Sequence, residues 1–293
     1  MHLLVRRLFT VLGFGILALF ISTLAGSVWT ALMLANIRTT PSIPWAVLVM
    51  AVFLWLAWLY LGGRGWPRKT AAARRRYLRA KPVSAPVYFW TFLTGVLAII
   101  SLAGLWIVMF QVIKMPPNVL PEYSRYPVLT VSAFILMGSL VSPFMEEAGF
   151  RGYLQVALEG DFPIPVALLL SSLFFALAHL NHGVFAPKLL VYFLVGVTFG
   201  ALASLTDSIL PVIPVHIIGD LTFFILIWPH DKARPLFSAG GAGMWFWLHC
   251  AQAVLFAALA ALAMRRPAQL VPNTHPNRNL AAKGTKNAKG NVG

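Results

Sequence analysis

The chain has 293 residues, of which 59% are hydrophobic and only 11% carry a formal charge. A soluble domain is roughly 45–50% apolar and about 25% charged, so this composition excludes a soluble enzyme, a disordered tail protein and a disulfide scaffold. The formal net charge is +15, but the cations lie between long apolar runs, where they set topology and contact anionic headgroups, so a nucleic-acid partner is not expected.

Eight apolar runs approach the length of about 20 residues that a helix needs to cross the hydrocarbon core. They are apolar on all sides, which favours helices embedded in lipid, and they lack the alternation of membrane barrel strands. The predicted fold class is an all-α, polytopic membrane helical bundle of about eight transmembrane helices. In chain order the runs are 8–34, 44–61, 87–113, 128–158, 164–182, 188–206, 209–228 and 244–264.

Two parts of the chain differ in composition. Residues 1–264 hold the apolar runs and are predicted to form one transmembrane domain. Residues 265–293 are basic, lack apolar periodicity and are predicted to be a disordered tail. The single cysteine, Cys250, excludes an internal disulfide and a cysteine-based metal site.

The basic residues are distributed unequally between the two sides of the predicted bundle. The N-terminus, the 62–86 loop and the tail hold 16 of the 23 Lys and Arg residues, whereas the opposite loops hold six. The positive-inside rule therefore places both termini in the cytoplasm. We expect a multi-pass protein of a bacterial inner (cytoplasmic) membrane, in contact with anionic headgroups.

Ionisable side chains at membrane depth are costly and by default indicate a functional site. Glu147 and Arg151 are four residues apart, as are His216 and Asp220, so each pair shares one helical face. An ion pair between Glu147 and Arg151 would offset the cost of burying either one alone. Glu146 lies about 100° around the helix from Glu147 and has no obvious partner.

Helical rise places these groups at similar depths below the cytoplasmic side. Glu146 lies roughly 18 Å and His179 roughly 22 Å below the short turn at 160–163, at 1.5 Å per residue. Asp220 and His216 lie roughly 16 Å and 10 Å below the same side. Each group alone has a structural interpretation, as a packed histidine or an interhelical ion pair, but three helices that converge at one depth favour a functional site.

Together these residues form three motifs in a fixed order that resembles the CPBP (CAAX protease and bacteriocin-processing) family of intramembrane proteases. This family includes the type II CAAX prenyl endopeptidases and bacterial immunity proteins. The resemblance covers about residues 125–225 and depends on all three motifs together. The motifs are Glu146-Glu147-x-x-x-Arg151, Phe175-x-x-x-His179 and His216-x-x-x-Asp220.

The resemblance implies hydrolysis of a peptide bond in a membrane-associated protein or peptide, within a cavity open to the cytosol. By position, Glu146 resembles the glutamate that activates water, and His179 resembles its partner in holding that water. His216 and Asp220 resemble the groups that stabilise the oxyanion. The remaining motif residues resemble those that order the site: Glu147, Arg151 and Phe175.

The resemblance leaves the cofactor open, because members are described both as metalloproteases and as glutamate-type proteases. A zinc ion held by Glu146, His179, His216 and Asp220 would supply an activated water. Without metal, Glu146 is itself the base. The third motif more commonly ends in Asn, so Asp220 is either a metal ligand or a protonated acid that donates a hydrogen bond. We favour the metal-free interpretation.

Two other functions fit buried Glu, His and Asp residues. An ion-coupled transporter would use them as a relay, but Pro211 and Pro214 interrupt one run without a matching interruption in the first half of the chain. A catalytically silent membrane scaffold or immunity protein would tolerate their replacement.

Overall fold

The computed structural model describes residues 2–118, 123–180 and 183–271, and within these ranges the chain is helical, with no strand. The predicted fold class, a polytopic helical bundle, is confirmed. The α-helices are α1 His2–Thr39, α2 Trp45–Leu61, α3 Ala71–Leu78, α4 Ala85–Val112, α5 Val128–Glu146, α6 Gln155–Asp161, α7 Ile164–Ala178, α8 Ala186–Thr206, α9 Ile213–Thr222, α10 Met244–Ala263 and α11 Arg265–Leu270.

Among the described residues, six helical segments are long and apolar enough to cross a membrane. The two shorter apolar helices, α2 and α7, have 17 and 15 residues. These eight segments follow the eight predicted runs in order, so the chain is a multi-pass membrane protein. The cytoplasmic location of the termini stays a prediction. The six long segments are Leu3–Thr39, Ala85–Val112, Val128–Asp161, Ala186–Thr206, Ile213–Ala233 and Met244–Leu270.

Several helix ends differ from the predicted boundaries. The helix α7 ends at Ala178, so His179 caps it instead of lying within it. The helix α9 begins at Ile213, so Pro211 lies before it and Pro214 lies in its first turn. A proline fits the first turn of a helix but interrupts its interior. Residues 265–270 of the predicted tail form α11, and the tail from residue 272 lies outside the described residues.

The long segment that contains the first motif changes helical type along its length. α5 ends at Glu146, a π-helical segment spans Glu147–Leu154, and α6 follows. Close packing surrounds this π-helical segment. A Cβ on Gly149 would lie 3.0 Å from the Ala18 carbonyl oxygen of α1, and one on Gly152 would lie 2.9 Å from the Tyr77 carbonyl oxygen of α3. Only glycine permits both approaches.

A buried ion cluster fixes the chain after α3. Arg79 adopts a left-handed conformation with φ 57°, and its side chain is 1% exposed. Its Nη2 and Nη1 atoms donate to the two carboxylate oxygens of Glu159 at 2.8 and 3.1 Å, and its Nε donates to Asp207 at 3.0 Å. The prediction that the cations of the 62–86 loop contact headgroups is therefore wrong for Arg79, whose carboxylate partners come from residues distant in the sequence.

Asp207 lies just beyond α8 and receives hydrogen bonds from both Arg79 and Lys81. Partial burial opposes its ionisation, but the hydrogen bond from Lys81 and the charge of Arg79 outweigh burial and lower the pKa of Asp207 below its ordinary value. The cluster therefore joins the loop after α3 to the end of α8 and to α6.

The buried core draws residues from several helices, including α5, α8 and α9. Val141, Phe199 and Val215, one from each helix, are at most 2% exposed. The outer surface is also apolar, as on α10, where Trp245 and Val254 are about 70% exposed. Because the interior and the exterior are both apolar, burial alone does not identify a functional site. Charged side chains in the interior identify it more clearly.

Candidate active site

Glu147 and Arg151 form the buried base of the candidate site. Glu147 is fully buried, and its Oε1 lies 3.1 Å from Nη1 of Arg151, so the predicted ion pair is present. The same Oε1 lies 2.8 Å from Nδ1 of His216. The Arg151 guanidinium lies over the ring of Phe175, 4.1 Å from its centre, which is a cation–π geometry. The pair from the first motif therefore contacts both later motifs.

His216 has a carboxylate near each of its ring nitrogens. Glu147 faces Nδ1, whereas Nε2 lies 3.7 Å from Oε2 of Glu146 and 3.6 Å from Oδ1 of Asp220. The His216 side chain is 6% exposed, against 13% for Glu146 and 21% for Asp220. Residue spacing predicted no partner for Glu146, and the structure places His216, from another helix, 3.7 Å from its carboxylate.

His179 caps α7 and is held by its surroundings. Its Nδ1 lies 2.8 Å from the carbonyl oxygen of Phe175. Because a carbonyl only accepts, Nδ1 is the donor, and the neutral ring then carries its lone pair on Nε2. The ring centre lies 4.6 Å from that of Phe175 and 4.2 Å from that of Tyr192.

One cavity of about 740 Å³ joins these groups inside the bundle. The side chains of Glu146, His179, His216 and Asp220 all line it, together with Phe175. The depth arithmetic predicted this convergence of three chain segments. The opposite wall comes from α1, which contributes the hydroxyl-bearing residues Ser22, Thr23, Ser27 and Thr30.

The arrangement is suited to proton transfer and to the binding of a polar reacting group. A carboxylate, two imidazoles and a second acid share one cavity in an apolar bundle, where hydrogen bonds and charges act strongly. Within the described ranges, no group of three or more His, Cys, Asp or Glu side chains is arranged to hold a metal ion.

Tyr192 and Phe199 were not predicted to belong to the site. Both line the cavity from α8, and Phe199 lies 4.8 Å, centre to centre, from His216. They are seven residues apart and so share a helical face, which is a detectable pattern. Apolar rings are common on every face of this chain, however, and that pattern alone does not separate site residues from core residues.

Ionisable side chains that share one cavity inside a multi-pass helical bundle indicate a functional site, as in an intramembrane hydrolase. Residues 128–222 match the family model described as Rce1-like, type II CAAX prenyl endopeptidase Rce1-like. The match contains all three motifs and confirms the predicted family resemblance. This part of the chain is therefore similar to the domain of CAAX-type intramembrane proteases, a family whose substrates are membrane-associated proteins or peptides. No curated protein and no solved structure matches the chain.

Proposed function

We propose that the protein is a glutamate-type intramembrane endopeptidase in which Glu146 activates the attacking water. The observation that carries the proposal is the shared cavity, which holds Glu146, His179, His216 and Asp220 together within an apolar bundle. Glu147 and Arg151 do not line this cavity, and their side chains are at most 1% exposed. This burial suits residues that order the site rather than contact substrate.

The proposed reaction needs only groups of this chain and one water molecule. Glu146 accepts a proton from the water, whose oxygen forms a bond to the carbonyl carbon of the substrate. His179, with its lone pair on Nε2, accepts a hydrogen bond from the same water and orients it. The C–N bond then breaks, and protonated Glu146 returns its proton to the leaving amine nitrogen.

His216 and Asp220 are suited to the developing oxyanion. His216 donates from Nδ1 to Glu147, so donation from Nε2 to an oxyanion requires the imidazolium form. Glu147 lies beside Nδ1 and Glu146 beside Nε2, so a positive charge on the ring would have a carboxylate near each nitrogen. Preorganised donors of this kind stabilise charge only as it develops, which is the usual source of the largest catalytic term.

We further propose a prenylated C-terminal peptide as substrate, on the basis of the family that residues 128–222 match. The purified protein in lipid nanodiscs is expected to cleave a quenched fluorescent farnesylated CAAX peptide, with the released tripeptide identified by mass spectrometry. Cleavage should continue after exhaustive chelation with EDTA and 1,10-phenanthroline. Activity lost on chelation and restored by zinc would overturn the glutamate mechanism. Equal cleavage of the unprenylated peptide would overturn the substrate class.

Replacement of Asp220 tests which property of this residue is used. If a protonated Asp220 donates a hydrogen bond, the amide of Asp220→Asn replaces it, and kcat should stay within about 3-fold of the parent. Asp220→Val removes the donor and should lower kcat about 100-fold. Steady-state kinetics on the farnesylated peptide measure both variants. Equal losses in the two would show that a carboxylate is required, as in a metal ligand.

A further inference from the structure

His179 receives little orientation from its own helix. It follows the last residue of α7 with φ −95° and ψ 11°, outside the helical range. Its Nδ1 bonds to the carbonyl oxygen of Phe175, which holds one nitrogen of the ring. The Phe175 ring is inclined by 49° to the imidazole, so it contacts an edge more than a face. A neighbouring ring that stacks on the imidazole can therefore contribute to the control of its plane.

Tyr192 supplies a parallel surface for the imidazole. The two rings are 4.2 Å apart, centre to centre, and are inclined by only 22°. Tyr192 is 8% exposed and also makes an edge contact with Trp106, whose Nε1 donates to Asp231 at 3.0 Å. The tyrosine ring therefore contacts both the histidine and a tryptophan that is itself anchored.

The phenol group at the far end of the same ring lies beside Asn118. Oδ1 of Asn118 accepts a hydrogen bond from Nζ of Lys188 at 2.6 Å. Lys188 is 1% exposed and lies one helical turn before Tyr192 on α8. Asn118 lies in the segment after α4, outside the residues that match the protease family. A buried polar group held by further hydrogen bonds is typical of residues that orient a catalytic side chain.

We propose that Tyr192 is a positioning residue that fixes the plane of the His179 imidazole, so that Nε2 faces the water held by Glu146. This inference rests on the proposed function. The stacked ring supplies the orientation, and Asn118 lies beside the phenol end of that ring. Geometric errors of about 1 Å in a catalytic group cost about 100-fold in rate, so the loss of the stack should affect turnover more than substrate binding.

Three variants separate positioning from packing. Tyr192→Met keeps much of the volume but removes the planar ring, and kcat on the farnesylated peptide should fall about 30-fold with KM within about 2-fold. Tyr192→Phe keeps the stacked ring and loses only the phenol hydroxyl, so kcat should fall about 3-fold. Phe193→Met is the matched control, because Phe193 is the next residue on α8 and does not line the cavity. Its kcat should equal that of the parent.

The outcomes are distinct from those of the proposed function. Parental kcat in folded Tyr192→Met overturns the positioning role while Glu146→Gln stays inactive. A rise in KM with kcat unchanged also overturns it, because that result indicates a substrate contact. If thermal scanning shows that the methionine variant does not fold, Tyr192→Phe and Asn118→Ala decide the question. Both must then lower kcat about 3-fold at unchanged KM, and parental values in both overturn the proposal.

Discussion

Glu146→Gln is expected to lower kcat on the farnesylated peptide by about 10²–10⁴-fold, the usual contribution of a general base. Glutamine has nearly the same size and keeps the contact with His216, but it accepts no proton from water. Glu146 is only 13% exposed, and its Oε2 faces Nε2 of His216, so the loss should be chemical rather than structural. Single-turnover kinetics measure the chemical step, and thermal unfolding in detergent should give a midpoint near that of the parent.

Ser142→Ala is the matched control for this variant. Ser142 lies one turn before Glu146 on α5 and lines the same cavity, so its replacement tests whether any small change there inactivates the protein. We expect its rate to stay near the parental rate. Parental cleavage by Glu146→Gln would contradict the endopeptidase mechanism and favour the silent scaffold. Substrate-dependent ion flux in liposomes that the variant abolishes would favour the transporter.

Arg79→Ala is expected to lower the free energy of unfolding by about 3–5 kcal/mol, the usual cost of removing one partner of a buried ion pair. The change leaves Glu159 buried and without the guanidinium that donates to both of its carboxylate oxygens. It also removes a hydrogen bond to Asp207. Denaturant unfolding in detergent micelles measures the loss, provided that the transition is reversible.

Two further variants show whether this loss comes from the buried charge. Arg76→Ala removes an exposed cation from α3, the helix just before Arg79, and should change stability by less than about 0.5 kcal/mol. The double variant Arg79→Met with Glu159→Met removes both members of the pair and should recover part of the loss. An unchanged unfolding midpoint in Arg79→Ala would mean that the ion cluster contributes no net stability.

The sequence predicted the parts of the site that depend on helical geometry. The ion pair of Glu147 and Arg151, and the contact of Phe175 with His179, follow from spacings of four residues. Helical rise and a short turn sufficed to predict that three segments converge at one depth. These properties are local to a helix or hairpin, so elementary geometry determines them.

Contacts between helices distant in the sequence could not be predicted in the same way. The bond between His216 and Glu147 crosses 69 positions of the chain, and the bond between Arg79 and Glu159 crosses 80. Which partner a buried charge selects depends on the packing of whole helices, and no spacing encodes it. Lys188 is one of the six cations that the sequence assigns to the opposite loops, yet it is 1% exposed and donates to Asn118.

The π-helical segment at Glu147–Leu154 has a consequence for any transfer of this site to another scaffold. A π-helix closes its hydrogen bonds over five residues instead of four, so the angular phase of the chain changes between Glu146 and Gln155. In a regular α-helical host, residues before and after this segment could not both keep their present directions. If Glu146 pointed as it does here, Gln155 and Glu159 would point elsewhere. Whoever grafts or redesigns this active site must copy the widened backbone turn along with its residues.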